Sequence, residues 1–233
     1  MQSVLLKTHS SILHIKTTHT NMYKFRKKTI PLINTILIVV TLLINSGNLK
    51  AQQTVNLEKL QNCDLIFVSD TSGMGEAVMQ TTGVYTHVAM VERAGDSIFI
   101  IDATQKHGVA KRPLEHTFAA RMPVDVYRMA VPIDTAEILA RAHALLGCPY
   151  DNTFLPGNNA YYCSELIQSV FIINDKPVFQ SAPMNWRDSR NRLPRYWKNH
   201  FKKLGMKVPE GVLGTNPTGI SKDGNLKKVE AAE

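Results

Sequence analysis

The sequence predicts an α+β domain, a mostly antiparallel sheet packed against helices. Three observations carry this reading. Four or five β-rich runs crowd between residues 63 and 130 and are joined by short polar turns. A helix with clear start and stop signals follows them. A second helix, opening at "CSELIQSVF", comes after a loop rich in Pro, Gly and Asn.

In chain order, "CDLIFVSD" has the apolar run and flanks of a short buried strand. "TSGMGEAVMQTTG" predicts a short helix around Glu76 to Met79. Its glycines lack a Gly-Lys-Ser/Thr ending, so it is not a phosphate loop. "YTHVAMVERA" and "SIFIIDAT" are strands joined across Ala94-Gly95-Asp96-Ser97, and Gly-Asp is good hairpin-turn chemistry. "GVAKRPL" and "VDVYRMA" add two more strands. "IDTAEILARAHALLG" is a helix: Asp134 or Thr135 caps it, Glu137 sits at capping-box distance and Gly147 closes it. Cys148 to Asn159 is a loop. Asn158 or Asn159 is a good N-cap for the helix that carries Cys163. The basic, aromatic stretch "NWRDSRNRLPRYWKNHFKKLG" reads as a closing helix and loop, since Pro194 interrupts any long amphipathic face that could lie on a membrane.

The formal charge of +8 invites an acidic partner until its location is considered. Of 27 Lys and Arg residues, seven fall in residues 1–51, which hold no acidic side chain; 20 basic residues then face 19 acidic ones. A basic nucleic-acid surface loses its support. The first 51 residues read instead as an export signal. "KFRKK" is the positive segment, "INTILIVVTLLI" the apolar one, and Ala51 the small residue at the cleavage point. Met22 is a candidate start. Ile36 to Ile44, bracketed by Pro31, Asn34 and Asn45, falls short of the roughly 20 apolar residues of a spanning helix, so no stable membrane span is expected after cleavage. The expected organisation is a leader at 1–51, one domain at 52–220 and a frayed polar tail at 221–233, in an exported protein that is periplasmic or secreted.

Three cysteines, Cys63, Cys148 and Cys163, are an odd number, so in an oxidising compartment at least one stays unpaired; a Cys63–Cys148 bridge is open. Cys163 is the one with chemistry. Leu166, Ile167 and Val170 follow it at the spacing of one helical face, which makes it either a core residue or a nucleophile at a helix start. There the dipole and free N–H groups favour a thiolate and can receive an oxyanion.

A nucleophilic cysteine needs a base. His107, His116, His143 and His200 sit in solvated or packing contexts, whereas His87 lies inside the apolar strand "YTHVAMV" and needs a partner. If Gly95-Asp96 is a two-residue turn, paired positions sum to 191. Ala89 then opposes Asp102, and Asp102 becomes the diagonal neighbour of His87 on one face of the sheet. An acid in "IFIIDAT" and a histidine in "YTHVAMV" explain each other. A metal site has no support, because no Cys or His pair has close ligand spacing. No cofactor is expected.

With these residues in place, the sequence resembles the permuted papain-like amidases of the YaeF/YiiX group, within the NlpC-like superfamily. The similarity runs through "DLIFVSD", "YTHVAMV", "IIDAT", "GVAKRPL", "LLGCPYD", "YYCSELI" and "VPEGVLGTNPTGI", in the family's order. The resemblance implies a circularly permuted papain-like fold in which the histidine strand precedes the cysteine helix. It implies Cys163 as nucleophile, His87 as base and Asp102 as orienting acid, where many relatives carry Glu. Cys63 stands where glycine is common. Tyr161 and Tyr162, beside the nucleophile, are candidates for the substrate site or for the core. The implied substrate is a cell-wall peptide or a related amide. An acyl-lipid thioesterase or acyltransferase would use the same triad and would show an apolar groove near Cys163; a non-catalytic wall-binding module would have an unreactive Cys163.

Overall fold

The computed structural model describes residues 59–71, 73–117 and 124–229. The expected leader and its expected cleavage point lie outside these residues. The chain runs through β1 (Leu65–Val68), α1 (Met74–Thr82), β2 (His87–Ala94), β3 (Ser97–Thr104), β4 (Gly108–Pro113), one 3-10 turn (Leu114–His116) and β5 (Val124–Met129). It continues with α2 (Thr135–Ala144), α3 (Cys163–Val170), the two-residue strands β6 (Ile172–Ile173), β7 (Lys176–Pro177) and β8 (Ala182–Pro183), then α4 (Arg195–Lys203), β9 (Leu213–Gly214), α5 (Pro217–Ser221) and β10 (Leu226–Val229).

Six strands form one sheet in the order β10-β5-β1-β2-β3-β4, and every pairing in it is antiparallel. The α+β class holds. The β2–β3 hairpin has the expected register: Ala94 pairs with Ser97, and the ladder runs back to Met90 opposite Ile101.

Alternation along the strands gives the sheet two apolar faces. Leu65, Phe67, Val88, Met90, Ile101 and Ala103 pack beneath α2 and α3, which contribute Ile138, Leu166, Ile167 and Val170. Ile66, Val68, Ala89, Val91 and Ile100 form the other face with Leu60 and Leu114. Leu166, Ile167 and Val170 are at most 1% exposed, so truncating Leu166 or Ile167 to Ala should cost about 2–5 kcal/mol. That packing fixes α3, and with it Cys163, against the sheet. A third cluster, mainly aromatic, joins Phe154, Tyr162, Trp186, Trp197 and Phe201.

Two expectations are corrected. Part of the 221–233 segment is an edge strand, since β10 pairs with β5 from Leu226↔Met129 to Val229↔Val126. Lys227 and Lys228 are flanked by Leu226 and Val229, which pack on the two sheet faces. The N-cap of α3 is Tyr162, not Asn158 or Asn159. Asn158 instead closes its own turn by accepting from Ala160 N–H at 3.0 Å, and Tyr161 N–H donates to Pro149 O at 3.0 Å, which keeps the chain extended up to Tyr162. The cap support comes from Glu165, whose carboxylate accepts from Tyr162 N–H at 3.4 Å.

All three cysteines are free. Cys63 is buried against Thr135 O, and burial, with Asp64 and Glu92 nearby, pushes its thiol up to about 12. Among the described residues no helix is long and apolar enough to cross a membrane.

Candidate active site

Asp102 sits on β3 between two diagonal neighbours. On one side, Oδ2 is 2.8 Å from Nε2 of His87, the first residue of β2. On the other, Arg112 of β4 donates from Nη2 to Oδ2 at 2.6 Å and from Nε to Oδ1 at 3.3 Å. The β3–β4 ladder explains the second contact: Asp102 opposes Ala110 and Ile100 opposes Arg112, which places Arg112 two residues along on the same face. The Asp102 side chain is 0% exposed, His87 20% and Arg112 22%.

With Nε2 taken by Asp102, the other ring nitrogen of His87 is left for Cys163, the imidazole's second hydrogen-bond partner. Burial disfavours the charged imidazole, but Asp102 and Cys163 outweigh it and push His87 up to about 10. Burial would likewise raise Asp102; His87 and Arg112 prevail and hold its carboxyl below the ordinary range.

Cys163 is the first residue of α3, 7% exposed, on the wall of a cavity of about 360 Å³. The first N–H groups of a helix lack intrahelical partners and are free to receive an anion beside it. The cavity runs past His87, Tyr150, Phe154, Met184 and Trp197, and among its described lining residues there is no Asp, Glu, Lys or Arg.

The loop from Cys148 shapes one wall. Asp151, buried, accepts from Thr153 N–H at 2.7 Å and Leu155 N–H at 2.9 Å. This clamp turns the chain so tightly that Phe154 adopts φ +56°, a left-handed conformation costly for a bulky residue, and its ring enters the aromatic cluster.

The structure thus brings Cys163, His87 and Asp102 into one chain of contacts. Of the two tyrosines, Tyr162 lines the cavity and Tyr161 does not. Tyr161 packs instead against the core beneath the sheet, near Cys148 and Glu165. The Tyr162 hydroxyl accepts from Thr215 N–H at 3.1 Å, which ties the helix start to the "LGTNPTGI" segment. His143 bonds Glu92 and His200 bonds Asn152 O, both away from Cys163. Arg112 was not picked out from sequence, although the pairing count used for the first hairpin, applied to the turn before Gly108, reaches it. Tyr150, Trp186 and Trp197 also escaped, since nothing local marks them as cavity walls.

A cysteine opening a helix, packed on a sheet that carries its histidine and precedes it in sequence, defines the permuted papain-like class of cysteine hydrolase. The family described as permuted papain-like amidase enzymes, YaeF/YiiX, C92, matches residues 59–230, and the chain belongs to it. Its fold is similar to the crystal structure described as metalloprotein yiiX from Escherichia coli O157:H7, with a TM-score of 0.63 and 20% identity over 74% of this chain and 97% of that one. No curated protein matches the chain. Among the described residues here, no three His, Cys, Asp or Glu side chains are grouped as metal ligands.

Proposed function

We propose that the protein is an exported cysteine hydrolase that cleaves an amide bond through an acyl-enzyme formed on Cys163. The observation that carries this reading is the continuous chain Cys163–His87–Asp102 on the wall of a cavity large enough for a substrate group. Cys163 sulfur attacks the carbonyl carbon, and N–H groups at the start of α3 receive the oxyanion. The C–N bond breaks as His87 passes its proton to the leaving nitrogen. A water then attacks the thioester, His87 takes its proton, and the carboxylic product leaves with the thiol restored. Asp102 holds the imidazole and stabilises its charge throughout.

The substrate is an amide related to a cell-wall peptide, by kinship, or an acyl compound, by the character of the cavity. The largely apolar lining, which holds no Asp, Glu, Lys or Arg, favours the second for the group that enters: a cationic peptide side chain would find no carboxylate there. This supports the thioesterase or acyltransferase alternative. The deciding experiment incubates the protein with muropeptides and, separately, with acyl lipids, comparing wild type with Cys163→Ala by mass spectrometry. Cysteine-dependent release from either set identifies the substrate class. Turnover that survives Cys163→Ala rules the mechanism out. Export rests on the leader, and N-terminal sequencing of protein recovered from the cell envelope should begin at Gln52; an intact leader there counts against it.

A further inference from the structure

Eight polar or charged residues of the described chain are buried: Asp64, Thr86, Glu92, Asp102, Asp151, Ser164, Thr215 and Thr218. Six have their side chains engaged. Asp64 bonds Arg128, Thr86 bonds Val68 O, Glu92 bonds Lys111 and His143, Asp102 bonds His87 and Arg112, Asp151 holds its own loop, and Thr218 bonds Tyr85 N–H. The other two, Ser164 Oγ and Thr215 Oγ1, have no hydrogen-bond partner among the described residues. Both belong to the lining of the Cys163 cavity.

A buried hydroxyl left unpaired is destabilising, and native proteins hold few of them without a reason. The fold supplies none for these. Ser164 is the second residue of α3, where its hydroxyl caps no backbone group. Thr215 serves the fold through its backbone, by giving its N–H to the Tyr162 hydroxyl, beside which its own hydroxyl lies. Two unpaired hydroxyls therefore lie on residues of one cavity wall.

We propose that Ser164 and Thr215 form the polar subsite of this cavity and hydrogen-bond the carbonyl-bearing end of a neutral amide or ester whose apolar acyl part lies against Met184, Trp186 and Trp197. The proposal rests on the cysteine-hydrolase reading of the site and adds the substrate's polar anchor. Hydroxyls can donate to a carbonyl oxygen without carrying charge, which suits a cavity lined by no Asp, Glu, Lys or Arg.

The test compares two reactions of Cys163 in the full chain: alkylation by iodoacetamide, which needs no carbonyl anchor, and acylation by p-nitrophenyl butyrate, which does. Both are followed by mass spectrometry in wild type, Ser164→Ala, Thr215→Val and Thr215→Ser, with thermal melting of each. Ser164→Ala and Thr215→Val should melt no lower than wild type, because each removes an unpaired buried hydroxyl. Their alkylation should stay within about twofold while acylation slows about tenfold or more, and Thr215→Ser should acylate at nearly the wild-type rate. Acylation at wild-type rate in both variants overturns the proposal. So does a drop in melting temperature with both reactions slowed together, which would assign the hydroxyls to packing. A wild type that is alkylated rapidly at Cys163 yet not acylated overturns the subsite and leaves the nucleophile standing. Failure of Cys163 to outpace Cys63 and Cys148 in alkylation overturns the hydrolase reading itself, and the subsite with it.

Discussion

Arg112 grips Asp102 from β4 through two N–H groups, at 2.6 and 3.3 Å, while His87 reaches it from β2. The same Oδ2 receives both Arg112 and His87, so the orientation of the imidazole depends on a residue ten positions beyond Asp102. In the proposed mechanism Arg112 is a positioning residue. It fixes the carboxylate and helps lower its pKa in a fully buried position, where burial alone would raise it.

Arg112→Ala should therefore lower turnover by roughly 10- to 100-fold, and Arg112→Lys, which keeps the charge and loses the fork, should recover part of it. Lost packing would reduce activity evenly across pH. Loss of the charge beside Asp102 should instead raise that carboxyl's pKa and move the acidic limb of the kcat/KM profile to higher pH. A profile of unchanged shape would remove Arg112 from the site.

His87 gives a pH dependence with a definite sign. Its value is raised from 6.5 to about 10 in the folded protein. Below about 6.5 the imidazole is protonated whether folded or unfolded, and its pairing contributes fully to stability. As pH rises towards 10 the folded protein retains a proton that the unfolded chain gives up, so this contribution declines and is lost above about 10. The melting temperature of wild type should fall relative to His87→Gln over this window. Cys163→Ala removes one of the two partners supporting the charge and should bring the His87 midpoint, followed by NMR, below the wild-type value.

The parts of this site legible in the sequence were those fixed by short-range rules. Gly95-Asp96 sets a two-residue turn, the turn sets the register, and the register places Asp102 beside His87. Val88, Met90, Leu166 and Ile167 announce their buried faces by period alone. Contacts that depend on tertiary closure were not legible. Asn158 has the chemistry of a cap, but hydrogen bonding between Tyr161 and Pro149 moves the helix start to Tyr162. Leu226 to Val229 look like tail residues until β5 offers them an edge. Trp197 reaches the cavity from α4, and its indole N–H donates to Ala77 O, 120 positions away.

Gly108 joins these levels and offers a stability test. It opens β4 at φ +61°, and a Cβ there would lie 2.3 Å from Cys148 O, the carbonyl that accepts Val109 N–H. Gly108→Ala combines left-handed strain with a backbone clash and should cost about 3 kcal/mol. In a domain of this size that lowers the melting temperature by roughly 6–12 °C, measurable by circular dichroism. Because β4 carries Arg112, the variant should also lose activity below its melting point. A melting temperature within 2 °C of wild type, on the order of the shift expected from less than 1 kcal/mol, would show that β4 and the Cys148 loop separate freely.

The most direct test of the triad is Asp102→Asn. The side chain is fully buried, and its replacement keeps shape while removing charge. An amide oxygen can accept from the imidazole, but it cannot stabilise the imidazolium that attack requires. It also leaves the Arg112 guanidinium, 2.6 Å away in the wild type, facing that imidazolium without a carboxylate between them. Turnover should fall by roughly a thousandfold or more while the chain still melts cooperatively. Asp102→Glu should be milder, since it preserves the charge and strains only the spacing between β2 and β4. His87→Ala should match or exceed the Asn variant because it removes the base. The rates come from burst kinetics with p-nitrophenyl butyrate, with circular dichroism as the folding control. If Asp102→Asn retains near wild-type turnover, the 2.8 Å contact to His87 is structural and the acid of the site lies elsewhere.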